Sequence, residues 1–220
     1  MVLAERKIAY CTNYMDNRMT QHDIDVSNLP TIAFGSRSPL WWAEMLTIMM
    51  LSAVVATLIA TYLYLRIGFS SWPGPDAVPP SLFLPTICFV VLLIVVAPIY
   101  SASKAAQRGE RQRSTHGLAI TFLLGITFLV LRFSAFNELG VRWYSGVYGS
   151  LVWVIMGFHT ILTIAATVWT GILLGITLGQ KDRERQQMGI QINALYWGFL
   201  ALSWIPFYVL LFVYPAALMV

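Results

Sequence analysis

The sequence predicts an all-α integral membrane protein, a bundle of five transmembrane helices. Three observations predict it. Of the 220 residues, 58% are hydrophobic and 11% are charged, against about 25% charged in a soluble domain. Five stretches are long and apolar enough to cross a bilayer, which takes roughly 20 helical residues. None of them alternates as the roughly 10-residue strands of a membrane β-barrel do. A mean hydropathy of +0.69 excludes a soluble enzyme, a disordered regulator and a nucleic-acid binder. The net charge of +4 comes from 14 basic residues in the polar ends and connections, so no nucleic-acid partner is expected.

Residues 1–39 are polar, mixed in charge and without a basic-then-apolar secretion signal. They are expected to form an irregular cytoplasmic segment, followed by a transmembrane domain over 40–220. Pro30 and Gly35-Ser-Arg-Ser-Pro39 mark the approach to the first span. The spans are residues 40–65, 81–103, 117–131, 146–178 and 189–220. The first carries one charge, Glu44, and the others none. Glu44 stands one turn in, beside Trp41 and Trp42, where its carboxylate is expected to reach water. The connection 67–80 holds Pro73, Gly74, Pro75, Pro79 and Pro80, and is expected to be a semi-rigid loop. The third span is short and is expected to run on to Phe136, with Arg132 snorkelling toward the headgroups. The fourth, about 50 Å long at helical rise, must tilt or project. Pro206 should kink the fifth.

Orientation follows from the basic residues. Arg6, Lys7, Arg18, Arg37, Lys104, Arg108, Arg111, Arg113, Lys181, Arg183 and Arg185 fall on one side. Only Arg66, Arg132 and Arg142 fall on the other. The first side is therefore expected in the cytoplasm and the carboxyl terminus outside. Trp41, Trp42, Trp72, Trp143 and Tyr144 stand at span ends, as interfacial anchors do.

Chemistry-bearing residues are few. Cys11 and Cys88 make neither a disulfide framework nor a metal cluster. His22 lies in the polar segment and His116 at a helix entry, whereas His159 is well inside a span. With no second histidine at its depth, His159 is expected to make an interhelical hydrogen bond rather than hold haem or copper. No catalytic residue, metal or cofactor is assigned to the chain. Gly146, Gly149 and Gly157, with Gly171 and Gly175, offer small surfaces for close helix approach. Arg66, Arg111 and Arg113, at span ends, are candidate contacts for phospholipid headgroups.

Several motifs then resemble one family. Gly146-Val-Tyr-Gly-Ser150, Gly157-Phe-His159, Tyr196-Trp197-x-Phe199 leading to Trp204, and Ala60-Thr-Tyr-Leu-Tyr-Leu65 before Trp72-Pro73 are similar to subunit III of the haem–copper oxidases. The basic turn 104–113 belongs to the same pattern. The resemblance covers about residues 40–217, in a five-helix form lacking the first two of the family's seven helices. It implies a non-catalytic subunit beside subunit I and other oxidase subunits. Haem and copper would sit in those partners, phospholipid would be bound in a cleft, and the oxidase would be protected during turnover. A bacterial cytoplasmic (inner) membrane is the expected location. The chain departs from the family pattern at Leu51, Leu162, Gly198, Ala201 and about Ala135, all apolar where the family has polar residues, although Glu138 remains near the last. These changes weaken a proton-uptake role and leave packing and lipid binding less affected. Other readings are an accessory protein of a quinol oxidase or nitric oxide reductase, and an independent small transporter. The last would show inverted repeats and broken, charged helices, which the sequence lacks.

Overall fold

Pro39, a residue suited to a first helical turn, opens the first helix of the computed structural model. The structure describes residues 39–69, 72, 81–179 and 183–215, with 183–185 as backbone only. The expectations for residues 1–38, for residues 70, 71 and 73–80 of the proline-rich connection, and for the side chains of Lys181, Arg183 and Arg185 fall outside these residues.

Five helices follow in order: α1 (Pro39–Gly68), α2 (Phe83–Gln107), α3 (Arg111–Asn137), α4 (Val147–Gly179) and α5 (Arg183–Tyr208). All five are long and apolar enough to cross a membrane. The chain is an all-α membrane protein, with no strand among the described residues. α5 passes into a π-helical segment, Val209–Val213. Pro206 lies just before it and has no N–H to give the helical ladder. The looser register there agrees with the predicted disturbance.

Each of α2–α5 turns one face inward with a spacing of three or four residues. On α2 this face is Cys88, Leu92, Val95, Ile99, Ala102 and Ala106. On α3 it is Leu118, Thr121, Gly125, Phe128, Arg132 and Ala135. α5 supplies the two largest buried side chains, Trp197 and Trp204, together with Phe207, all without exposed surface. The helices close a ring in which α2 packs on α3, α3 on α4, α4 on α5, and α5 back on α2. α1 stands outside the ring against α5, burying only Val55 and Tyr62.

The α2–α3 connection is a tight stop. Gly109 has a φ of 76°, its N–H donates to Ala106 O, and the N–H of Glu110 donates to Ala105 O at 2.9 Å. This pair of bonds satisfies the last carbonyls of α2 and requires a left-handed residue, for which glycine is suited.

Arg132 departs from expectation. Rather than snorkelling, its side chain is fully buried. The reason is its register: it sits four residues after Phe128 and seven after Gly125, on the stripe that faces α4 and α5. Trp72 also differs from a free interfacial anchor. It is half-buried, donates from Nε1 to Tyr62 Oη at 3.1 Å and packs edge-on against Tyr148. Trp42, Trp143 and Tyr144 are exposed.

Candidate functional site

The buried polar groups gather along the inner face of α4. Thr160, Thr163, Thr167, Thr170 and Thr177 are buried there. Each hydroxyl donates to the carbonyl four residues earlier, at 2.7–2.8 Å. A threonine on a membrane helix satisfies its donor in this way and keeps its oxygen as an acceptor. Thr170 Oγ1 uses that capacity twice. It accepts from Asn193 Nδ2 at 2.9 Å and from Trp197 Nε1 at 3.0 Å, tying α4 to α5. Trp197 is thus a buried polar tie, as well as a core side chain. Tyr196 beside it is half-buried and meets Phe199 ring to ring.

About three turns before Thr170 on α4, three helices meet at one cluster. Arg132 of α3 places Nη2 3.2 Å from His159 Nδ1, and His159 Nε2 lies 3.1 Å from Leu200 O of α5. A guanidinium only donates and a carbonyl only accepts. The imidazole therefore holds its proton on Nε2 and presents the Nδ1 lone pair to Arg132. The guanidinium carbon also stands 3.7 Å from the centre of the Trp204 ring and 5.1 Å from that of Phe128. Trp204 is in turn 4.5 Å from the His159 ring. Arg132 Nε and Nη1 and Trp204 Nε1 are buried without a hydrogen-bond partner. The cluster is a cation held by aromatic faces and one imidazole nitrogen.

This arrangement does not fit a haem or copper ligand. Both His159 nitrogens are committed, one as donor and one as acceptor, so neither offers a lone pair to a metal. Among the described residues, no three His, Cys, Asp or Glu side chains converge.

The other expected residues are placed individually. Gly149 packs against Arg142 O and Ser145 Oγ of the preceding loop, not against another helix. Gly157 and Gly175 meet nothing within 4 Å, so their expected close approach is absent within this chain. Gly146, with a φ of 123°, is equally open. Gly171 alone of this group meets a helix, at the Phe122 ring. Close crossings that were not predicted lie on α3, and Gly189 of α5 likewise meets Leu173. A Cβ on Gly117 would come 2.7 Å from Ala102 Cβ, and one on Gly125 2.8 Å from Thr167 Oγ1. The spacing Gly117-xxx-Thr121-xxx-Gly125 was the available signal.

Arg66 Nε donates to Tyr214 Oη at 3.0 Å. Arg111 Nη2 donates to Thr177 O at 2.6 Å, a cation on the carbonyl end of α4 that favours the helix dipole. Arg113 pairs with Glu110 at 3.4 Å. Glu44 is half-buried and its Oε1 is enclosed without a partner, so that oxygen does not reach water as expected.

Residues 44–216 match the family model described as cytochrome c oxidase subunit III. A protein of Tetraodon nigroviridis named cytochrome c oxidase subunit 3 is 30% identical over 139 residues, 63% of this chain and 53% of its own. One of the same name from Osphranter robustus is 31% identical over 140 residues, again 63% and 53%. Another from Trichophyton rubrum is 27% identical over 145 residues, 65% and 54%. The chain spans about half the length of the curated relatives it matches.

Proposed function

Because the chain belongs to the cytochrome c oxidase subunit III family, we propose that it is a non-catalytic subunit of a respiratory haem–copper terminal oxidase. In this reading, subunit I carries haem and copper and reduces oxygen with electrons from cytochrome c. The present chain braces that partner in the membrane and binds phospholipid. The observation that carries the reading is the family match across most of the chain. His159, with both nitrogens in protein hydrogen bonds, supports the non-catalytic part. The exposed faces of α1, with Leu46, Met49 and Met50 open, suit contact with lipid or another subunit.

The basic end of the bundle, with Lys104, Arg108, Arg111 and Arg113, faces the cytoplasm of a bacterium in this reading, and the membrane is its inner membrane. The asymmetry of basic residues between the two ends supports the orientation. Arg66, Arg111 and Arg113 contact phospholipid headgroups. Each stands at a helix end and keeps guanidinium N–H groups beyond its protein contact.

Affinity purification of the tagged chain in mild detergent, followed by a reduced-minus-oxidised optical spectrum, tests the assignment. Haem bands are expected to copurify, with turnover supported by cytochrome c. A preparation free of haem would remove the oxidase assignment, and turnover by quinol alone would change the electron donor.

A further inference from the structure

The rigid α2–α3 stop brings three cations to one rim. A cavity of about 90 Å³ is lined by Ser101, Lys104, Ala105, Arg108, Glu110 and Arg113. An open hollow of about 460 Å³ adjoins it, sharing Glu110 and Arg113 and adding Arg111, Gln112 and His116. Glu110 is the only carboxylate in either lining, against Lys104, Arg108 and Arg113 in the smaller one. Its pairing with Arg113 is long, at 3.4 Å, and the side chains are 69% (Arg113) and 41% (Glu110) exposed. Such a pair contributes little and yields to a better anion. Lys104 is held over the Tyr100 ring at 4.8 Å, which fixes the ammonium at the boundary between the polar rim and the apolar helix.

The surface below the rim has the other half of an amphiphile's shape. Two helical turns from Ser101 along α2 lies Ile94, and two turns from Arg113 along α3 lies Ile120. Both are exposed. Leu93 and Val90 extend the open face of α2, and Leu123 and Val130 extend that of α3. A cationic head site thus stands over two neighbouring apolar tracks at the end of two membrane spans.

We propose that this rim is a site for one anionic phospholipid, its phosphate held by Lys104, Arg108 and Arg113 and its two acyl chains lying along the open faces of α2 and α3. The site rests on the reading of the chain as a membrane subunit that binds lipid, and adds Lys104 and Arg108 to the residues that reading uses. The charge balance of the lining selects an anionic headgroup over a zwitterionic one, and the apolar tracks select a lipid over free phosphate.

Native mass spectrometry of the full chain in detergent, with phosphatidylglycerol, phosphatidylcholine or inorganic phosphate added, tests the site. Phosphatidylglycerol is expected to be retained preferentially. Lys104→Gln and Arg108→Gln should each lower its affinity roughly fivefold, whereas Lys104→Arg should preserve it and show that the fold is intact. Arg142→Gln, at the opposite end and engaged with Tyr144, should leave this binding unchanged. Equal retention of both lipids, an equal loss from Arg142→Gln, or equally strong binding of inorganic phosphate would overturn the proposal. Copurification of haem is read separately. Its loss with phosphatidylglycerol binding intact would overturn the oxidase assignment alone, and the reverse result would overturn this site alone.

Discussion

Arg132 has one hydrogen-bond acceptor, His159 Nδ1, and two aromatic faces. Removing a cation from water costs several kcal/mol even after relaxation. A desolvated cation–π contact returns about 2 kcal/mol, and a hydrogen bond to a charged group about 1.5–3 kcal/mol. His159 is therefore needed mainly because Arg132 is there. His159→Leu is expected to lower the unfolding free energy of the chain by about 1–3 kcal/mol, measured by chemical denaturation in detergent. In an Arg132→Met background the same change should cost less, since no buried donor is then stranded. Equal costs in both backgrounds would mean that the two side chains act independently. His159→Ala should also leave the haem spectrum of the purified complex unchanged, because the ring serves protein groups on both sides. Part of this cluster was legible: His159 stands out as an intramembrane imidazole, and an interhelical hydrogen bond is what it makes. Arg132 was misplaced because its position near the end of an apolar run suggested snorkelling. The spacing Phe128 to Arg132 to Ala135 put it on the buried stripe. Its meeting with Trp204 joins residues 72 apart in sequence, which no single-helix pattern encodes.

At the scale of the helices, the spans were legible from apolar length, and the fourth, expected over 146–178, is Val147–Gly179. The third ends at Asn137, beside the expected Phe136, but starts at Arg111 rather than 117 because buried Ser114 continues its inner face. Close crossings depend on which face a glycine occupies, and composition does not say. Gly117 and Gly125 lie on the buried stripe of α3, whereas Gly157 and Gly175 have open space in front of them. Gly117→Leu and Gly125→Leu are each expected to destabilise the chain by about 1–3 kcal/mol through overpacking. Gly157→Leu should leave the isolated chain within about 0.5 kcal/mol of its original stability. Equal losses at all three positions in denaturant titrations would contradict the packing described here. Gly109→Ala tests the α2–α3 stop. Its left-handed backbone should cost about 1–2 kcal/mol with any side chain, and an unchanged midpoint would mean that the turn relaxes freely.

For the molecule as a whole, a ring of four helices with a fifth leaning on it leaves α1 largely uncovered. The order of the motifs carried the fold and the family, because a multi-pass bundle is set largely by the sequence and spacing of its spans. What covers α1 is not encoded in this chain's own pattern, since an exposed apolar face reads alike toward lipid and toward a partner. The basic asymmetry makes a definite forecast of orientation. Cysteines introduced in the 67–80 and 138–143 connections should react with an impermeant label from outside intact cells. Reaction only after permeabilisation would invert the topology. The central claim is that the chain braces an oxidase without contributing to its chemistry, and oxygen-electrode traces of the complex with and without it test that most directly. Initial oxygen consumption should be largely retained in its absence, and activity should then decay faster during turnover. Immediate and complete loss of activity would contradict the non-catalytic role, and identical lifetimes would contradict the bracing.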